Sequence, residues 1–142
     1  MSPAQIALIQ SSFAKVVPIQ EQAAAIFYAR LFELAPSVRA LFKGDMAEQG
    51  RKLMAMLATV VGTLDRLEVL VPVAERLAVR HVAYGAEPAH YAVVGAALLD
   101  TLQAGLGAGF TAETRAAWAA AYATLSGVMI AAAEAPEARA AV

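Results

Sequence analysis

Apolar residues along this chain recur at helical spacing, and the breaks between the runs carry residues that start and stop helices. Ile6, Ile9, Phe13 and Val16 form the first stripe. Ser2-Pro3 opens it, since serine caps a helix and proline is tolerated in its first turn. Pro18 marks the next start, and a helix runs through Phe27-Tyr28 and Leu31 to Leu34. Pro36 begins a short helical turn carrying Val38 and Leu41-Phe42, and Lys43-Gly44-Asp45 is an irregular break. From about Met46 a helix continues to Leu64, with Leu53, Leu57, Val60 or Val61 and Leu64 on one face. After a connector around Asp65 to Glu68, residues Leu70, Val73, Ala74, Leu77, Ala78 and His81 share one face of a further helix. Gly85 and Pro88 bound a turn, and two long helices, about 88–106 and 111–134, follow.

This pattern predicts an all-α domain of six or seven unequal helices with short connections, crossed around an internal cavity. An up-and-down four-helix bundle needs fewer and more equal elements. The 142 residues suit a single domain, 1–142, and the 60% hydrophobic content is largely alanine, the best helix former. Net charge is −1 and no basic stripe exceeds two adjacent cations, so neither nucleic acid nor an anionic membrane surface is an expected partner. The eighteen uncharged residues from Ala116 to Ala133 are long enough to span a bilayer. They are mostly alanine, with Thr124, Ser126 and Gly127 among them, which predicts a buried core helix instead. There is no cysteine, which excludes disulfides and thiolate metal sites without fixing the compartment. The N-terminus lacks a signal-peptide pattern, so cytoplasmic residence is expected.

Candidate chemistry centres on His81. A polar ring on an apolar face needs a partner, because burying it unpaired costs about 1–3 kcal/mol. That partner is either a backbone carbonyl, as for an ordinary core histidine, or a ligand. The only other histidine is His90, and no His-x-x-x-His or Glu-x-x-His spacing offers a zinc site. The acids fall mostly on polar faces or at helix starts, which does not suit a di-iron bundle, and there is no cysteine or Gly-x-Ser-x-Gly nucleophile. A cofactor needing one protein ligand fits better, and haem is one, since the porphyrin supplies four of the iron's bonds.

The residues carry a resemblance. Ile26-Phe27-Tyr28-Ala29-Arg30-Leu31-Phe32 with Pro36-Ser37-Val38-Arg39-Ala40-Leu41-Phe42 resembles the B helix and C–CD corner of single-domain bacterial haemoglobins, the class that includes the globin part of flavohaemoglobins. Gln49-Gly50-Arg51-Lys52-Leu53-Met54 resembles the start of their E helix, and Ala78-Val79-Arg80-His81 with His90-Tyr91 their F helix and G start. Trp118 and Tyr122 fall where their H helix has them, so the likeness runs through the whole chain in order.

The resemblance implies a globin fold of six to eight helices packed around a haem pocket that holds haem b (iron protoporphyrin IX). It implies His81 as the iron ligand, its second nitrogen bonded to the Leu77 carbonyl. Phe42 would pack flat on the porphyrin, Tyr28 and Gln49 would donate hydrogen bonds to a dioxygen ligand, and Leu53 would form the apolar wall beside it. Lys52 and Arg80 are within reach of the propionates, and Tyr91 stands beside the proximal histidine. The family's H-helix glutamate has no counterpart in register: its slot falls at Ala133, with Glu134 one residue further round. A weaker push of electron density, hence an oxygen binder rather than a peroxidase, is expected.

Reversible dioxygen binding for storage or transport is the expected function, with nitric oxide and carbon monoxide as further gas ligands. The alternative is a nitric oxide dioxygenase, which needs a separate reductase because one globin domain takes up these residues. A cofactor-free helical interaction or sensor module is a third class, which no partner-binding stripe favours.

Overall fold

A computed structural model of the chain describes residues 1–83 and 85–134, the side chain of Glu134 excepted. Six α-helices follow in order: α1 (Pro3–Val16), α2 (Gln20–Leu34), α3 (Met46–Gly62), α4 (Leu67–Ala83), α5 (Pro88–Leu106) and α6 (Ala112–Glu134). Short 3-10 segments at Val17–Ile19, Pro36–Leu41 and Gly107–Gly109 turn the chain between them. Among the described residues there is no strand.

The helix ends follow their local chemistry. Ser2 Oγ accepts from the Gln5 backbone at 3.1 Å while Gln5 Oε1 accepts from the Ser2 N–H at 3.0 Å, a reciprocal cap for α1. Ser2→Ala should therefore lower stability by about 1 kcal/mol in urea unfolding, with no change in cofactor spectrum. Asp45 caps α3 by accepting from the Ala47 N–H at 2.8 Å. The end of α3 falls at Gly62 rather than Leu64, where the Thr63 N–H bonds the Val60 carbonyl three residues back at 3.1 Å in a tightened closing turn. Arg66 then bonds the Thr63 carbonyl and α4 starts at Leu67, earlier than the polar connector suggests. Gly85, at φ +91°, closes α4 in the left-handed region that glycine enters without a steric penalty.

Two apolar clusters hold the helices. The larger joins α1, α2, α3, α5 and α6, with Leu70 from the start of α4, around Ile9, Phe13, Leu31, Val61, Leu98 and Trp118. Within it Trp118 Nε1 donates to the buried Ser12 Oγ at 2.9 Å, tying α6 to α1. The smaller cluster packs α4 on α6 through Ala74, Ala78, Met129 and Ala132, where small side chains bring the two backbones close. Leu125 of α6 touches both clusters. Helices α5 and α6 are each long and apolar enough to cross a membrane by length and composition. Here Leu98, Leu102, Ala117 and Trp118 on them are core residues.

The helix α4 thus packs on α6, and α3 packs on α2 and α1, with no substantial packing of α3 on α4. The site residues are distributed on either side of that separation.

Candidate functional site

One group of side chains assembles where α2, α3 and the Pro36–Leu41 segment meet. Gly50 sets the approach: a Cβ there would lie 3.0 Å from Ala24 Cβ, so α2 and α3 come close at that level. Tyr28 is one turn along α2 from Ala24 and is buried, while Gln49, next to Gly50, is half-buried. Gln49 lies near enough to act on the Tyr28 phenol. Burial pushes the Tyr28 hydroxyl above its ordinary range, and the nearby Gln49 side chain opposes this. The phenol therefore stays protonated, and its O–H remains a donor.

Around Tyr28 the rings form a box. Phe42 meets it edge-on at a centroid distance of 5.3 Å, Phe27 does so at 5.0 Å, and Phe32 stacks at 6.0 Å. Phe42 is only half-buried, so one side of its ring is not covered by the core. Leu53, one turn along α3 from Gln49, packs on the larger cluster. Sequence reasoning did not single out Phe32. Its spacing of four from Tyr28 was the available signal, and the Arg39 guanidinium 5.1 Å over its ring closes the outer edge.

A second group belongs to α4 and α5. His81 lies on the face with Ala74 and Ala78, as its spacing predicts, and Glu75, Arg76 and Arg80 are exposed. Its Nδ1 is 2.7 Å from the Leu77 carbonyl oxygen. A carbonyl only accepts, so Nδ1 carries the proton, and in the neutral ring Nε2 carries the lone pair. Burial lowers the His81 pKa; the Leu77 bond opposes this and the charge of Arg80 adds to it. The imidazole is therefore neutral at pH 7 and suited to bind a metal. The Tyr91 ring stands 6.4 Å from the His81 ring, tilted by 31°.

The remaining candidates are peripheral. Lys52 is exposed, with Nζ 3.8 Å from Glu48 Oε1, and Arg80 is exposed on α4. His90 is a capping residue whose Nδ1 accepts from the Glu87 N–H at 3.0 Å, consistent with its place near a helix start. Ala133 is half-buried on α6, and the side chain of Glu134 lies outside the described residues.

The structure joins Tyr28, Gln49 and Phe42 on one side and His81 with Tyr91 on the other; α4, which carries His81, has no substantial packing on α2 or α3, while α5, which carries Tyr91, packs on α2. Among the described residues no three His, Asp or Glu side chains converge, so a metal held by His81 would take its other ligands from outside the protein. A flat apolar macrocycle carrying its own nitrogen ligands matches that donor set, with aromatic and aliphatic side chains to cover its faces.

Comparison with known proteins agrees. The globin family profile matches residues 25–129. The chain is 34% identical over 133 residues to a flavohemoprotein of Bordetella parapertussis, covering 92% of this chain and 33% of the relative. It is 34% identical over 107 residues to one of Vibrio cholerae (73% and 27%), and 29% identical over 133 residues to one of Deinococcus radiodurans (92% and 33%). The chain spans about a third of the length of the curated relatives it matches.

Proposed function

The chain belongs to the globin family, and from that premise we propose that it binds haem b through His81 and takes up dioxygen reversibly. When bound, haem supplies an iron(II) that coordinates dioxygen without net reaction. His81 would hold the iron through Nε2, with the Leu77 carbonyl fixing the ring. Phe42 and Leu53 would cover the porphyrin face and exclude water, and Lys52 and Arg80 would meet the propionates. Tyr28 would donate its O–H to the gas ligand, with the Gln49 amide beside it as a second donor.

The neighbouring Tyr28 and Gln49 side chains carry this reading, because they set two neutral donors from different helices beside a half-covered aromatic ring. Absorption spectra of the purified protein as iron(III), iron(II) and carbon monoxide forms test it. Haem bands that shift with each form are expected. Protein that stays colourless when made with ample haem overturns the reading and favours a cofactor-free helical module.

The name of the relatives, flavohemoprotein, includes a flavin and favours a second reading, nitric oxide dioxygenase fed by a separate reductase in the cytoplasm. Repeated nitric oxide consumption with a cellular reductant supports it; a single turnover that stalls as iron(III) counts against it.

A prediction follows from Gln49, whose amide does not titrate. Oxidation of the oxygenated protein should rise less steeply with acid than in Gln49→His, where an imidazolium can deliver a proton. Equally steep acid dependence in both proteins would sink this role.

A further inference from the structure

The chain leaves α4 through a tight turn just beyond His81. The Ala86 N–H donates to the His81 carbonyl at 2.9 Å, and the Gly85 N–H donates to the Val82 carbonyl at 3.1 Å. This pair of bonds is a Schellman cap, which needs a left-handed backbone at residue 85. Its φ of +91° is one that glycine enters freely and other L residues enter at a cost. The far side of the turn is pinned as well, since Glu87 and His90 form a reciprocal cap for α5 and Pro88 opens that helix. The His81 carbonyl is therefore held by a bond that lasts only while residue 85 stays left-handed.

Gly85 also meets the other half of the molecule. A Cβ built on it would lie 3.3 Å from Leu41 Cδ2, so its backbone and the Leu41 side chain are close neighbours. Leu41 ends the 3-10 segment, packs on the larger apolar cluster and directly precedes Phe42. Helix α4 has no substantial packing on α2 or α3, so this approach braces its His81 end against the aromatic group around Tyr28. We propose that Gly85 is a positioning residue. Its left-handed cap holds the His81 end of α4, and its seat on Leu41 fixes that end against the residue before Phe42. His81 and Phe42 thereby meet the cofactor at a set spacing. This rests on the reading of His81 as the haem ligand.

Resonance Raman spectroscopy of the iron(II) protein without a gas ligand reads the iron–histidine stretch directly. Gly85→Ala, whose side chain disfavours a positive φ, should shift that band. Haem transfer from it to an acceptor protein should speed up about two- to tenfold, as for one lost hydrogen bond. Gly85→Asn should keep the wild-type band, because asparagine enters the left-handed region and the flexible end of Leu41 can give way to its Cβ. Leu41→Ala leaves the cap bonds in place but removes the seat, and should shift the band too. Ser2→Ala, which loses the cap of α1, should leave both the band and the transfer rate unchanged. An unmoved band in haem-loaded Gly85→Ala or Leu41→Ala, or an equal shift in Gly85→Asn or Ser2→Ala, overturns the positioning role alone. Wild-type protein that takes up no haem overturns the globin reading with it. Leu41→Ala decides the matter if Gly85→Ala does not fold.

Discussion

His81→Ala should produce a helical protein that no longer retains haem. Alanine favours the helix more than histidine does, and Ala74 and Ala78, which anchor α4 on α6, are untouched. Far-ultraviolet circular dichroism should therefore match the wild type. What would be lost is the ring nitrogen proposed to hold the iron, on an imidazole oriented by a 2.7 Å bond to the Leu77 carbonyl. Changes to residues that merely orient a metal ligand cost about 10–100-fold in affinity, so removal of the ligand itself should exceed about a hundredfold. Titration of apoprotein with haem measures this. Free imidazole, entering the space left by the ring, should restore part of the spectrum. An unchanged spectrum in His81→Ala, at unchanged affinity, would show that another group binds the iron.

How far the sequence was legible follows from what periodicity reports. The stripe of α1, the His81 face of α4 and the bounds of α5 could be read because spacing of three and four marks a helix face, and Ser2, Gly85 and Pro88 mark ends. The start of α4 could not, since the turn after Gly62 is closed by backbone bonds from Arg66 and Val69 that polar residue types do not reveal. The candidate residues came from resemblance, which also led to the expected His81–Leu77 bond that the structure shows at 2.7 Å. The contacts left unread were long-range. Neither the Tyr122 bond to Tyr91 nor the fit of that ring against Gly95 leaves a local trace, because a face that is merely apolar does not name its partner. The expectation about Glu134 lies outside the described side chains.

The Tyr28 hydroxyl should govern how long dioxygen stays. Phenylalanine at this position keeps the ring contacts with Phe27, Phe32 and Phe42 and removes one oxygen atom. The effect should therefore appear in ligand release rather than in folding. A hydrogen bond to a ligand that has drawn electron density is worth about 1–3 kcal/mol, so Tyr28→Phe should release dioxygen about ten- to a hundredfold faster in stopped-flow displacement. Gln49→Leu should also speed release by removing a second donor. Since the two side chains are neighbours, the double variant should fall short of the product of the single effects. Carbon monoxide, a poorer acceptor, should be released at nearly the same rate in all four proteins. If Tyr28→Phe releases dioxygen within about twofold of the wild type, less than one ordinary hydrogen bond, the phenol is packing only and oxygen retention must come from elsewhere.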